Sequence, residues 1–186
     1  MNSYQFPTVN DALPVLLRDL LSVASATPSR NGETRELRFC SIELTDPLDR
    51  IVTTPGRGAS LAAQVAESMW ILAGRSDIKW LARYLPRAKD FSDDGEVWRG
   101  GYGPRIRGSR GYPDQLDYVT RLLRSDRTTR RAVISIYRPE VDSAPGKDIP
   151  CNNWLHFLPR GDYLDLHVAT RSNDVIWGWS GINTFE

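Results

Sequence analysis

The apolar positions of this chain follow a helical rhythm in its first two thirds and a strand rhythm afterwards. In "DALPVLLRDLLSVAS", Leu13, Leu16, Leu17, Leu20 and Leu21 recur at three- and four-residue spacing, which places them on one helical face. Asp11 stands ahead of them as the expected N-cap, and Pro14 falls early enough in the helix to be accommodated. "ASLAAQVAESMWILAG" repeats the pattern, with Gly74 as its stop. "SDIKWLARYL" predicts a further short helix, and "PDQLDYVTRLLRS" one with Leu116, Val119 and Leu123 on its inner face. Strands are predicted in "LRFCSIELTDP" and then in close succession in "RAVISIY", "NWLHFL" and "YLDLHVATR", with "PRGD" as a hairpin turn between the last two. "TPSRNGETRE" is expected as a polar loop. Residues 86 to 115 hold six glycines and three prolines and form a long irregular stretch, a feature that in a compact domain usually carries function. Helix, strand, helices and clustered strands in that order predict a layered α+β fold, in one domain over residues 1–186.

Composition narrows the chemistry. A chain of 186 residues can bury a core without staples, and a formal charge of +1 argues against a general polyanion binder. Two cysteines far apart and two histidines offer neither a disulfide framework nor a metal centre, so no metal is expected. No apolar run reaches membrane-spanning length and the N-terminus is too polar for a signal peptide, so a reducing cytoplasm is expected, with the thiols free.

The candidate chemistry lies in short polar insertions. "KDIPCNNWLHFL" places Cys151 directly after Pro150 and ahead of an apolar strand, where a small hydrophobe would satisfy packing alone. Glu67 lies on an otherwise apolar helix, either facing water at its edge or buried with a task. Arg130 and Arg131 open a strand; taken alone they are a solvated basic end. "RSND", residues 171–174, closes another strand with a cation, a hydroxyl, an amide and a carboxylate. The glycines of "GRG" and "GGYG" match neither a phosphate loop nor a dinucleotide fingerprint.

Each signal is weak singly, but their order is not. "ESMWILAGRSDIKWL", "GGYGPRIRG", "TRRAVISIYRP", "PCNN" and "RSNDVIWG" stand in the order and spacing of the blocks of the thymidylate synthase and pyrimidine-nucleotide hydroxymethylase family, whose versions include "YGxxWR", "PCH" and "RSxDvfLG". From about Arg30 onward the chain resembles that family.

The resemblance implies a mixed β-sheet packed on helices, with a sheet face joining two copies in a homodimer. It implies that Cys151 is the nucleophile that adds to C6 of a pyrimidine nucleoside monophosphate, its thiol pKa lowered by nearby arginines and strand-end dipoles. Arg171, Ser172 and the mobile Arg30 would hold the 5′-phosphate, with Arg130 and Arg131 reaching in from the second subunit. Glu67 would be the general acid/base at O4 and C5, its pKa raised by apolar neighbours, with Tyr102 in the same proton relay. Asp174 and Trp98 would contact the folate, 5,10-methylenetetrahydrofolate, which serves as cosubstrate.

The chain departs from the family in four places. Asn152 replaces a histidine, and "AKDFSDDGEVWRGGYG" replaces a tryptophan-rich segment and carries Trp98. "WSGIN" puts either Asn183 or Ile182 at the base-reading position. The chain also ends at Glu186, where family members continue, so the family's C-terminal part is expected to be missing. Methylation of dUMP, the family's commoner outcome, is the first expectation. Water capture to give a 5-hydroxymethyl nucleotide of dUMP, dCMP or CMP is the second, and a nucleotide-binding paralogue without catalysis is the third.

Overall fold

The computed structural model describes residues 2–23, 25–29, 32–109 and 111–185. They gather into two compact units, residues 1–64 with 174–186, and residues 65–173.

In the first unit, strand β1 (Asn2–Phe6) pairs in parallel with β4 (Cys40–Leu44), Asn2 opposite Cys40 and Phe6 opposite Leu44. Helix α1 (Val9–Ser22) begins one turn earlier than its leucines predict. Its N-cap is Thr8 rather than Asp11: Asp11 N–H donates to Thr8 Oγ1 at 3.3 Å and Thr8 N–H to Asp11 Oδ2 at 3.1 Å. Asp11 thus stands three residues inside, as the reciprocal half of a capping box. Val9, Leu13 and Val52 form the core here, with Leu17, Val175, Ile176 and Trp179 packed around them. The last three come from a π-helical segment, Val175–Asn183, for which the sequence predicted no element. "TPSRNGETRE" is not a plain loop, because β2 (Ala26–Ser29) and β3 (Gly32–Arg35) pair as an antiparallel hairpin.

The second unit holds most of the predicted elements. Helix α2 (Leu61–Leu72) ends at Gly74, whose φ of 68° suits a residue without a β-carbon. Helix α3 (Ile78–Leu81) is capped by Asp77. The irregular stretch contains a 3₁₀ turn, Pro86–Phe91, and the short α4 (Gly103–Ile106). Helix α5 (Gln115–Ser125) lays Val119 against β5 (Val133–Ser135), and a short α6 (Pro139–Asp142) follows. Strands β6 (Asn152–Arg160) and β7 (Tyr163–Thr170) complete an antiparallel sheet in the order β5-β6-β7. Arg160 faces Tyr163 across the predicted hairpin, whose Gly161 takes a φ of 61°. Trp70, Ile71, Ile78, Leu81 and Ala88 form one core, and Val119, Ala132, Ile134 and Ile136 another. Arg105 and Asp142, both buried, form a two-pronged ion pair at 2.6 and 2.7 Å beside β5. The α+β class is as expected, its strands lying in one parallel and three antiparallel ladders among the described residues. No helix among those residues is long and apolar enough to cross a membrane.

Candidate active site

Cys151 enters β6 at a bulge. Asn152 pairs with Thr170 and Trp154 with Ala169, so Asn153 is an extra residue that kinks the strand beside the thiol. Asn153 C=O accepts from Ile136 N–H and Tyr137 N–H at 2.9 and 3.1 Å, which anchors the bulge to the neighbouring chain. Arg171 fastens the other side. Its backbone N–H donates to Cys151 C=O at 2.9 Å, while its guanidinium donates to Pro150 C=O at 2.9 Å and Ile149 C=O at 2.7 Å. One arginine therefore fastens the segment that carries Cys151 and brings a positive charge near its sulfur. Asn152 is buried behind it, its Oδ1 without a hydrogen-bond partner among the described residues.

Sequence left Glu67 either facing water or buried; on α2 it is half-buried. Burial, with a smaller push from the Asp148 carboxylate, raises its pKa to about 7. Cys151 differs from expectation. Burial pushes its thiol up, Arg171 pulls the other way, Asp148 adds to the rise, and the net shift is upward. The lowering expected from arginines is not reached here, because one cation outside the core does not outweigh removal of the thiolate from water. Asp148, within the field of both groups, is a site residue that the motif reading passed over. Its signal was present in "KDIPC", a carboxylate three positions ahead of the thiol.

Trp98 is bound into this arrangement. Its Nε1–H donates to Asp148 Oδ2 at 2.6 Å, its ring stacks on Phe91 (5.1 Å, 7°), and it tilts against Trp70 at 6.0 Å. The glycines of "GGYG" provide clearance for this wall: a β-carbon at Gly100 would collide with the Asp148 carboxylate, and one at Gly101 would lie 2.9 Å from the Trp70 ring. Tyr102 is half-buried and packs against both cores of this unit.

The phosphate candidates are at the surface. Arg130 and Arg131 are exposed just ahead of β5, and the Arg131 guanidinium stands 4.0 Å from the Asp126 carboxylate. Ser172 is exposed beyond the end of β7. An open cavity of about 490 Å³ is lined by Ser135, Tyr137, Pro139, Asn153, Trp154 and Arg171, which is room for a small molecule beside the bulge. Two candidates belong to the other unit. There Asp174 caps the π-helical segment, its Oδ1 accepting from Ile176 N–H at 2.8 Å and Trp177 N–H at 2.6 Å. Asn183 closes that segment, directly after Ile182. Arg30 lies outside the described residues.

A half-buried thiol at a strand bulge, a carboxyl protonated near neutrality and a backbone-clamping arginine suit reversible covalent chemistry on an electron-poor ring. The chain is 39% identical over 169 residues to a deoxyuridylate hydroxymethyltransferase of Delftia phage PhiW-14, covering 84% of this chain and 46% of that protein. It is 37% identical over 179 residues to a protein of the same name from Bacillus phage SP01, covering 90% and 47%. The chain thus spans about half the length of these relatives. Its fold is similar to that of the thymidylate synthase of T4 phage, with a TM-score of 0.67 at 23% identity over 92% of this chain and 64% of that one. Residues 16–184 match the family described as thymidylate synthase, and to that family this chain belongs.

Proposed function

We propose that this chain forms part of a folate-dependent enzyme that installs a hydroxymethyl group at C5 of deoxyuridylate. The observation that carries this reading is the common setting of Cys151 and Glu67: a nucleophile and a carboxyl that keeps its proton to about pH 7, both in the field of Asp148. The Cys151 sulfur bonds to C6, which makes C5 nucleophilic toward the methylene carbon of 5,10-methylenetetrahydrofolate. C5 then loses its proton and tetrahydrofolate leaves, so the ring carries an exocyclic methylene. Water adds to that carbon and Cys151 departs from C6, with nothing oxidised or reduced. Glu67 exchanges protons at O4 and C5 through water, with Tyr102 in the relay. Asn183 reads the uracil edge, Asp174 and Trp98 meet the folate, and Ser172, Arg171 and Arg30 hold the phosphate. The reducing cytoplasm is the compartment that keeps Cys151 a free thiol.

Two features favour water capture over methylation, which was the first expectation from sequence. The phage relatives at 37–39% identity are named for hydroxymethyl transfer. Trp98 is committed to Phe91 and Asp148, which leaves it unavailable to swing over the methylene and exclude water. Turnover of dUMP by the full-length protein is expected to give a nucleotide heavier by CH2O, with no rise in dihydrofolate absorbance. Dihydrofolate formed in step with product would establish methylation instead.

The site is completed by a second copy, whose exposed Arg130 and Arg131 supply phosphate contacts. Cys151→Ser and Arg130→Ala subunits, each nearly inactive alone, should regain about one quarter of wild-type activity when mixed and exchanged, since heterodimers carry one intact site. Subunits that exchange without regaining activity would show that each site is built from one chain.

A further inference from the structure

We propose that Asp148 is a positioning residue of this site, whose carboxylate locks the Trp98 indole to the segment carrying Cys151. Trp98 and Asp148 are 50 residues apart in sequence, yet their bond is a short 2.6 Å N–H to carboxylate contact, the stronger kind of hydrogen bond. It closes a row of contacts between the same two stretches. Lys147 N–H donates to Asp93 Oδ1 at 2.8 Å, Lys147 Nζ to Ser92 C=O at 2.7 Å, and Arg99 Nη2 to Ala144 C=O at 3.2 Å. Ser92 braces the first stretch internally, its Oγ donating to Val97 C=O and accepting from Gly95 N–H. Among these contacts, Asp148 is the one nearest the thiol in sequence. Gly100 leaves the space that its carboxylate fills, where any β-carbon would collide. The aromatic wall of Phe91, Trp98 and Trp70 is thereby tied to the nucleophile rather than only packed near it. The same carboxylate bears on Glu67 and Cys151, so one residue sets both the wall and the charge beside the reacting groups.

The consequence for turnover rests on the one-carbon-transfer reading; the lock itself does not. This chain has six tryptophans, and in full-length protein labelled with ¹⁵N at its indoles Trp98→Phe identifies the Trp98 signal by its loss. Asp148→Ala is expected to move that signal to the position of an indole without an acceptor and leave the other tryptophans in place, which reports an intact fold. Asp148→Asn, whose amide oxygen still accepts, should restore it in part. In a Cys40→Ser background, iodoacetamide should alkylate Cys151 several-fold faster in Asp148→Ala, because a negative charge beside the forming thiolate is gone. A Trp98 signal indifferent to residue 148, or an unchanged alkylation rate, overturns the proposal whatever the activity. With dUMP and 5,10-methylenetetrahydrofolate, Asp148→Ala should lower kcat by roughly tenfold and leave KM for dUMP nearly unchanged, the mark of misplaced catalytic parts rather than lost binding. A variant kcat equal to wild type also overturns it. A wild-type protein that does not turn over dUMP refutes the functional reading, and the indole and alkylation results then decide the lock by themselves.

Discussion

With Cys151 replaced by serine, turnover of dUMP is expected to fall at least ~10⁴-fold while the fold is retained. Serine keeps the shape of the side chain, so the bulge at Asn153 and the Arg171 clamp on Ile149 and Pro150 remain. What is lost is a group that can become an anion here. Burial already opposes the thiolate at Cys151, with the Arg171 cation pulling the other way, and a hydroxyl is far harder to ionise in the same setting. The direct measurement is mass spectrometry of full-length protein with 5-fluoro-dUMP and 5,10-methylenetetrahydrofolate. Wild type should form a ternary adduct that maps to Cys151, and the serine variant none. An adduct on Cys40, the exposed thiol of β4, would remove Cys151 from the mechanism.

Glu67→Gln is expected to move activity and stability in opposite directions. Loss of the proton-exchanging carboxyl should lower kcat by about 10²–10⁴-fold. Stability should rise at neutral and basic pH. In the unfolded chain Glu67 titrates near its ordinary value of 4.5, whereas in the folded chain burial and Asp148 hold it at about 7. The folded state therefore binds the proton more tightly. Its contribution is fully present below about pH 4.5, is lost as pH climbs through about 7, and stays lost above that. At about 1.4 kcal/mol per pH unit, the charged carboxylate costs roughly 3 kcal/mol at pH 8.5, and glutamine removes that cost. Denaturant midpoints at pH 5 and pH 8.5 make the check. The wild-type difference between the two should shrink in Glu67→Gln, and an equal pH response in both proteins would place Glu67 in water. A variant both more stable and less active is the mark of a carboxyl kept for chemistry.

Much of this was legible in the chain itself. Helix α5 and strands β5 and β6 lie where their periods put them, because each lays residues that recur at that period against a core, whereas β7 lies where it was predicted through its pairing with β6 and is exposed at all but one position. Strands β1 to β3 were not legible. Asn2–Phe6 alternates too little to announce itself and is a strand by virtue of Cys40–Leu44 alongside it, while "TPSRNGETRE" pairs with itself without an apolar face. The π-helical segment after Asp174 was hidden because "VIWGWSGIN" is apolar on nearly every position and so shows no period.

The site divides along the same line. Cys151 after Pro150, Glu67 among apolar neighbours and the arginines are local patterns, and sequence alone determined that they were worth chemical attention. Tertiary structure decided what they experience. The upward shift of the Cys151 thiol, the bulge at Asn153, the clamp by Arg171 and the bond from Trp98 to Asp148 all depend on residues 15 or more positions apart along the chain, or on burial that no single segment creates. A residue's type and neighbours set what it can do. Its dielectric surroundings and partners, which set what it does at neutral pH, exist only once distant segments have packed together.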